Sequence, residues 1–367
     1  MRTLFSLTAA AALCGTISAQ DVITRVSGGQ SYFYYDPGPS VADGERLQAI
    51  IGLASAGDTL YLGGDNYVLD YEHPIHQNKR LVIVGTGWHQ DSTTTSGRTR
   101  ISRVQGPTWW LDRGADGSEF HGLFFDDVPV AINGYEANSA IDGLRFVRCQ
   151  FSSLALGTQT GTSWATNITV EQCVIGSFDF HDVATATVKN SVITGTISRA
   201  VQGSLVENCL LLNPVLNNAS GSNGLTYKSC VFTRKTTAGE TFTVNVPAIF
   251  LNNRWVLEGA GSSLAFGANV ISQSGNAAVT GLGAAFANTA NIDYTAFNED
   301  ANYAVVPAFL TAGYGGTQVG IYGGPGPAWK NGALPFNPHW RLLTSPGSTA
   351  TNGVLSPVTI KASAQTR

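Results

Sequence analysis

The sequence predicts an all-β protein in which short parallel strands stack as the coils of a solenoid, with a capping helix at the N-terminal end. Three observations support this prediction. A short segment recurs along the chain, and its copies lie near 20 residues apart. Only 13 % of the 367 residues are charged, about half the usual share. The chain also holds 42 glycines, which suits β-structure with many tight turns.

The repeat is clearest in segments such as 168–175, where alternating apolar and polar residues lead to a cysteine and a further apolar pair. Four such cysteines occur, and a serine takes the same place in one copy. A unit of this length cannot bury its own apolar face, so neighbouring units have to stack. The repeated position is occupied in turn by Cys149, Cys173, Ser191, Cys209 and Cys230.

Residues 1–19 have the pattern of a secretory signal peptide. Arg2 gives a basic start, an apolar run follows from Leu4 to Cys14, and Ala19 is a small residue at the expected cleavage point. We therefore expect the mature protein to be secreted, either extracellular or at the cell surface. No later stretch is long enough for a membrane span. The net charge of −4 gives no reason to expect nucleic acid as a partner.

An amphipathic helix is predicted directly after the first strands. Leu47, Ile50, Ile51 and Ala54 fall on one helical face, and Asp43 is a candidate N-cap. A helix here would cover the apolar end of the first coil, which would otherwise face water. From Leu60 onward short strands alternate with turn residues, so we expect a β-helix domain with its N-terminal cap over 20–335. Residues 336–367 are predicted to form a C-terminal tail or cap.

Alignment of the coils predicts which side chains point inward and which point outward. The residue three positions before each repeated cysteine, or before Ser191, is apolar. These residues should form a buried stack: Phe146, Val170, Val188, Val206 and Tyr227. The next residues should point outward: Val147, Glu171, Lys189, Glu207 and Lys228. Their alternating charges favour a structural ion ladder over a binding role.

The repeated cysteines allow two interpretations. They could form disulfides Cys149–Cys173 and Cys209–Cys230, because an exported protein meets an oxidising environment. In-register side chains on parallel strands point the same way, however, which makes the dihedral angle of a disulfide hard to reach. We therefore favour a column of free, buried thiols.

Three groups of segments carry a resemblance to a known family. They are residues 47–50 with 57–62 and 67–69, the coil phrases 188–190 and 206–208, and the glycine-rich phrase 315–324. Together the chain resembles secreted bacterial proteins of the pectate-lyase-like superfamily over about residues 44–324, although those proteins often carry Asp where this chain has Gln318. The resemblance implies a right-handed parallel β-helix, and extracellular polysaccharide lying along one outer sheet. It also implies acidic Ca²⁺ ligands and a basic residue that abstracts a proton, but no residue here matches the family's catalytic phrases.

One polar column offers a candidate catalytic site. His181, Arg199 and Asn217 each lie eight residues past the repeated position in consecutive coils, and Asp179 shares the outer face with His181. We predict His181 as acid and base, Asp179 as its orienting group and Arg199 as the partner of a substrate carboxylate, with Asn217 binding substrate. The alternative interpretation is a solvated face that happens to contain a histidine.

Two further clusters are weaker candidates. Asp126 and Asp127 could bind Ca²⁺ or act in glycoside hydrolysis, although a turn at the end of a strand is the ordinary explanation. Trp109 and Trp110 could stack on sugar rings, but tryptophan in a solenoid is more often part of the core. No cofactor is required by the sequence, and Ca²⁺ is the candidate.

These observations lead to two functional hypotheses. The first is a secreted β-helix protein that binds polysaccharide and cleaves it as a lyase or a glycoside hydrolase. The alternative is a non-catalytic surface or matrix protein whose solenoid is a rigid spacer or an adhesin. The first hypothesis depends mainly on analogy of fold, which is a weaker argument than a recognised site.

Overall fold

The computed structural model describes residues 22–35, 43–88, 97–104, 106–132, 140–155, 165–180, 185–200, 202–217, 224–325 and 329, and two strands at 339–344 and 359–363. The predicted signal peptide, residues 1–19, lies outside the described residues. Within the described part of the chain, no helix is long and apolar enough to span a membrane.

The elements up to residue 132 are β1 (Val22–Ser27), β2 (Gln30–Tyr35), α1 (Asp43–Leu53), β3 (Thr59–Tyr61), β4 (Asn66–Leu69), β5 (Ile75–Gln77), β6 (Val82–Val84), β7 (Arg100–Arg103), β8 (Trp109–Leu111), β9 (Glu119–His121), β10 (Phe124–Phe125) and β11 (Val130–Ile132). The next strands are β12 (Ile141–Asp142), β13 (Arg145–Val147), β14 (Gln150–Ala155), β15 (Ala165–Thr166), β16 (Ile168–Glu171), β17 (Val174–Asp179), β18 (Ala186–Lys189), β19 (Val192–Ile193), β20 (Thr196–Ser198), β21 (Leu205–Glu207), β22 (Leu210–Leu212) and β23 (Val215–Asn217). The remaining strands are β24 (Leu225–Lys228), β25 (Val231–Arg234), β26 (Thr241–Val244), β27 (Ala248–Leu251), β28 (Arg254–Leu257), β29 (Ser263–Phe266), β30 (Ser272–Ser274), β31 (Ala277–Thr280), β32 (His339–Thr344) and β33 (Thr359–Ser363). Short 3₁₀ turns occupy Leu282–Ala284, Pro307–Phe309 and Tyr314–Gly316.

The strands form a parallel β-solenoid, which confirms the predicted all-β architecture. The first sheet has 12 strands in the order β2-β1-β3-β6-β9-β13-β16-β18-β21-β24-β27-β30, and its pairs from β3 onward are parallel. The second sheet runs β31-β28-β25-β22-β19-β17-β14-β10-β7-β4. Each coil therefore contributes one strand to each sheet, and it hydrogen-bonds to the coils before and after it.

A third row of strands runs beside the second sheet and joins it through two long strands. β14 and β17 belong to both, because their last residues continue past the corner of the coil. The row is completed by β5, β8 and β11 on one side and by β20 and β23 on the other, all in parallel pairs. This third row forms the floor of the candidate site described below.

The corner between the first and second sheets is built from one repeated pair of residues. The first member of each pair has a positive φ, from 45° at Asn190 to 66° at Gly275, which turns the chain sharply. The eight residues at this corner are Gly122, Arg148, Gln172, Asn190, Asn208, Ser229, Asn252 and Gly275. Four of them, Gln172, Asn190, Asn208 and Ser229, are the polar residues that precede Ser191 and three of the repeated cysteines in the sequence.

The second member of each pair points into the core and bonds to the preceding coil. The Asn253 amide accepts a bond from the Cys230 N–H (2.8 Å) and donates to the Tyr227 carbonyl (3.0 Å). The Cys173 thiol makes the same two contacts, with the Cys149 N–H (3.3 Å) and the Phe146 carbonyl (3.6 Å). The column reads Leu123, Cys149, Cys173, Ser191, Cys209, Cys230, Asn253 and Asn276. The four cysteines of this column are free and buried, as predicted.

Stacked aromatic rings fill much of the core between the sheets. Phe120 and Phe146 stack with centroids 5.0 Å apart, and so do Tyr227 and Phe250. The predicted inward residues Phe146, Val170, Val188, Val206 and Tyr227 are all buried. Of the predicted outward residues, Glu171, Lys189, Glu207 and Lys228 are half-buried, whereas Val147 is buried. Val147 is the register partner of Glu171 and does not belong to the main core cluster, so its burial does not contradict an outward orientation.

The helix α1 closes the N-terminal end of the solenoid. Leu47, Ile50, Ile51 and Ala54 are buried in the main core, as the spacing of apolar residues predicted. At the other end, β30 is the last strand of the first sheet, and all three of its residues are exposed. The two ends of the solenoid are therefore finished differently, one by a helix and one by polar side chains.

The chain after β31 returns along the outside of the second sheet. The Asn190 side chain donates to the carbonyls of Ile321 (2.9 Å) and Gly323 (2.7 Å), and the Asn208 side chain donates to Gln318 (2.8 Å). A second apolar cluster forms beneath this segment, residues 281–325, which we call the return segment. The cluster joins Val174, Val192, Leu210 and Val231 of the solenoid to Phe286, Tyr303, Phe309 and Ile321 of the return segment.

Candidate functional site

One row of register partners in the third row forms a continuous line, which we call the outer row, and its residues from His76 to Ser198 face outward. Cα register pairs each of them directly with the next, so neighbours lie about 4.8 Å apart. The line crosses seven coils and lies on the outside of the molecule. Its members are His76, Trp110, Ala131, Ala155, Asp179, Ser198 and Asn217.

The structure changes the predicted alignment of the polar column. Ser198, and not Arg199, lies opposite Asn217 and Asp179. The reason is that the number of residues between the cysteine column and the third row differs from coil to coil. Asp179 is six residues past Cys173, whereas Asn217 is eight residues past Cys209. An alignment of the coils without gaps therefore matches the residues of the core column correctly but mismatches those of the outer row.

Asp179 and Arg199 nevertheless come together. The Arg199 Nε donates to Asp179 Oδ1 at 2.9 Å, and a terminal guanidinium nitrogen bonds to the second carboxylate oxygen. Both side chains are about one quarter exposed. A bidentate pair of this kind fixes both groups in place. His181 lies outside the described residues, and of Asn217 only the backbone is described, so their predicted roles remain predictions.

The two predicted tryptophans occupy opposite sides of β8. Trp109 is 0 % exposed and packs edge-on against Phe120 (5.8 Å) and Phe125 (5.7 Å), and its Nε1 donates to Gln77. Its ring is part of the core and offers no face to a sugar. Trp110 is half-buried and points outward in the outer row, between His76 and Ala131.

The two predicted metal ligands each pair with an arginine. Asp126 accepts a bond from the Arg100 Nε at 2.6 Å, and Asp127 accepts one from the Arg103 Nε at 3.2 Å. Asp127 has a φ of 58°, so the pair forms a turn after β10. Among the residues that the structure describes, no group of three or more His, Cys, Asp or Glu side chains is arranged to hold a metal ion.

A histidine–aspartate pair at the start of the outer row was missed from the sequence. His76 Nδ1 lies 3.0 Å from Asp112 Oδ2, and the histidine side chain is 45 % exposed while the carboxylate is 6 % exposed. The Asp112 N–H donates to the Gln77 carbonyl at 2.9 Å, which anchors the residue just past the end of β8. The two residues are 36 positions apart, and only the stacking of β5 on β8 brings them together. The sequence offered no signal here, because Gln77 is polar and only the structure shows that it is buried and that His76 faces outward.

A second polar surface lies on the outside of the first sheet. Lys228 bonds to Glu207 at 2.7 Å, which is one pair of the predicted ion ladder, and Arg145 bonds to Glu171 at 2.9 Å from outside that ladder. A groove of about 170 Å³ lies beside these charges and is closed on one side by the return segment. Its lining comprises Glu171, Gln172, Lys189, Asn190, Glu207, Asn208, Gly324 and Pro325. Several of the lining groups already hold the fold together, so we regard the outer row as the better candidate site.

The fold and the outer row can also be compared with known proteins. The chain has no significant match to a protein-family model, to a curated protein or to a solved structure.

Proposed function

We propose that this protein is exported and binds an extracellular polysaccharide along the outer row. The observation that carries the proposal is the continuous line of register partners crossing seven parallel strands. A repeating polymer can make equivalent contacts at successive coils, because the strands repeat at a constant spacing of about 4.8 Å. Such contacts add to one another along the chain of the ligand.

The kinds of side chain in the outer row support a sugar ligand. Trp110 presents an aromatic ring with a polar N–H, and such rings combine apolar contact with hydrogen bonding. Ala131 and Ala155 follow it and leave a low floor on which a polymer can lie. Asp179 then supplies a carboxylate fixed by Arg199, and both groups can bond to sugar hydroxyls.

Binding is tested by affinity electrophoresis of the mature chain in gels that contain acidic or neutral polysaccharides. The Trp110→Ala variant should bind about tenfold more weakly, a loss of ~1.4 kcal/mol. The Ala155→Trp variant should also bind weakly, because the indole would stand in the middle of the floor. Lys189→Ala changes the outer face of the first sheet and serves as the control. Equal retardation of all four proteins would rule out the outer row as the binding surface.

The alternative, a structural or adhesive solenoid without catalysis, is favoured by one observation. Each described carboxylate that the sequence nominated for chemistry is bound by an arginine: Asp126, Asp127 and Asp179. Arg199 engages both oxygens of Asp179, whereas Arg100 bonds to one oxygen of Asp126 and Arg103 to one oxygen of Asp127. A general base needs an available lone pair, so the bidentate contact at Asp179 weakens the catalytic interpretation of the polar column.

A further inference from the structure

The predicted ion ladder on the first sheet is incomplete within one chain. Its members are register partners on four neighbouring strands, and all of them are half-buried on the outer face: Glu171, Lys189, Glu207 and Lys228. Lys228 bonds to Glu207, and Glu171 is bonded by Arg145 of the coil before. Within the described part of the chain, no ion pair joins Lys189 to either neighbouring glutamate. A cation in the middle of the ladder is therefore available to a partner outside the chain.

The order of the charges makes the ladder complementary to itself. Along the solenoid the signs run negative, positive, negative, positive. In the opposite direction the order is reversed, so an antiparallel second copy places an opposite charge against every member. A two-fold axis that is parallel to the strands and lies between β18 and β21 sets Lys189 against Glu207 of the copy. A parallel copy in the same register would oppose like charges, which is unfavourable.

The residues around the ladder are compatible with this arrangement. The outward side chains two positions earlier on the same strands are uncharged: Thr169, Thr187, Leu205 and Thr226. The same axis sets Thr187 against Leu205 of the copy. Beyond the ladder, the charged residues of β9 and β13 would face uncharged residues of β30 and β27. No like charges therefore meet in this overlap.

A large exposed ring stands at the edge of the same face. Tyr314 of the return segment is 53 % exposed, and the Lys228 ammonium lies 4.7 Å from the centroid of its ring. Because Lys228 would face Glu171 of the copy, this ring would lie at the rim of the contact. Aromatic rings are enriched at protein–protein interfaces.

We propose that the outer face of the first sheet is an interface at which two copies of this chain pack with their solenoids antiparallel. The overlap would comprise eight strands of each copy, from β9 to β30, which extend over about 38 Å. Strands about 12 Å long then give roughly 500 Å² on each copy, near the lower limit for a specific interface. The third row takes no part in the contact, so the dimer presents two outer rows.

The first test measures association by sedimentation equilibrium of the mature chain at up to about 200 µM, in about 20 mM and about 500 mM salt. The wild type should form dimers at low salt and dissociate at high salt, because ion pairs fix the register. Lys189→Glu opposes glutamates across the axis and should weaken association about tenfold or more. Circular dichroism confirms that each variant is folded.

A double variant separates contacts between chains from contacts within one chain. Lys189→Glu with Glu207→Lys gives the order negative, negative, positive, positive, which is again complementary to its own reverse. We therefore expect the dimer to return. Within one chain the same changes place like charges side by side and remove the pair between Lys228 and Glu207. Recovery could not come from a repaired intrachain ladder.

Cross-linking tests the antiparallel orientation. Stacked sheets lie about 10 Å apart, so a bis-maleimide of about that span should join Thr169→Cys of one copy to Thr226→Cys of the other. The mixture of the two variants should cross-link, and either variant alone should not. The native cysteines of the repeated column are buried and should not react.

Three results would overturn the inference: a wild type that stays monomeric at low salt, association that Lys189→Glu leaves unchanged, or cross-links within each single cysteine variant. None of them would affect the proposed function, which concerns a different row of strands. In about 500 mM salt the wild type should be monomeric. Polysaccharide binding and association of the solenoid ends can therefore be measured at that salt without a contribution from this face.

Discussion

At the scale of single residues, the corner asparagines connect two parts of the chain that are far apart in sequence. Asn190 has a φ of 45°, a conformation that asparagine tolerates better than most residues. Its amide donates two bonds to the carbonyls of Ile321 and Gly323 in the return segment. One side chain therefore satisfies a backbone requirement and a long-range contact together.

These two contributions can be separated by substitution at Asn190. Asn190→Gly keeps the backbone conformation and loses both hydrogen bonds, so we expect a loss of about 1–3 kcal/mol in unfolding free energy. Asn190→Ala loses the same bonds and adds the cost of a left-handed residue with a Cβ, about 1 kcal/mol more. Urea denaturation of the two variants measures the difference. Equal stability of both variants would show that backbone strain plays no part at this corner.

The buried thiols give the protein a predictable weakness at alkaline pH. Burial raises the pKa of Cys173 and of Cys209 well above the ordinary value, and it raises the pKa of Tyr227 as well. The folded protein therefore keeps these protons, while the unfolded chain releases thiol protons above about pH 8.5. Stability is complete below that pH and should fall as pH rises, by about 1.4 kcal/mol per unit for each such group.

The measurement is the urea midpoint between pH 7 and pH 10. Cys173→Ser should flatten this dependence, and the fold should accept it because Ser191 already occupies the same column. In the native protein the four thiols should also resist a disulfide reagent until denaturant is added. A steep alkaline loss that persists unchanged in Cys173→Ser would exclude this thiol as its source.

At the scale of elements, the return segment turns the outside of the second sheet into a second core. Val192 and Leu210 point away from the main core and would face water without it, yet both are buried. This explains why the second-sheet strands β19 and β22 consist wholly of buried apolar residues. A strand buried on both faces loses the alternation that marks a half-exposed strand.

The second core can be tested at Leu210. Leu210→Ala should lower the unfolding free energy by about 2–5 kcal/mol, because the cavity would lie between two packed layers. Val215→Ala is the matched control, since Val215 lies one strand further along and is 54 % exposed. Thermal denaturation compares the two. A stability loss as small as that of the control would mean that the return segment does not pack tightly on the sheet.

The sequence predicted those elements whose spacing is regular. The cysteine column and the inward stack belong to one recurring segment, and the apolar face of α1 follows the helical period, so the sequence shows them directly and the structure confirms them. The outer row was not predicted, because coils of unequal length hide which residues lie opposite one another, as Ser198 and Asn217 show. The His76–Asp112 pair was missed for a related reason, since neither residue belongs to the recognised repeat.

At the scale of the whole molecule, the two ends of the solenoid determine whether copies of the protein associate end to end. The helix α1 covers the first coil with an apolar face, while β30 ends the last coil with Ser272, Gln273 and Ser274. Gln273 is the register partner of Phe250, so a polar side chain stands where the core would otherwise continue. Terminal units of solenoids generally need such protection from water and from other chains.

The importance of the helical cap is testable at two positions of one helix. Leu47→Asp places a charge at a fully buried site, so we expect a loss of about 3 kcal/mol or more and concentration-dependent association of the exposed ends. Leu53→Asp is the control, because Leu53 is 62 % exposed on the same helix. Light scattering coupled to size-exclusion chromatography reports the association. Monomeric behaviour by both variants would show that α1 is dispensable as a cap.

The number of residues between the cysteine column and the outer row differs from coil to coil, and this affects how the protein can change over evolutionary time. A single-residue insertion at the corner before the third row moves a new side chain into the outer row of that coil and leaves the core column in place. The intervals 173–179, 191–198 and 209–217 already lengthen by one residue from each coil to the next. Ligand preference can therefore diverge by small insertions and deletions, coil by coil, without selection having to rebuild the interior.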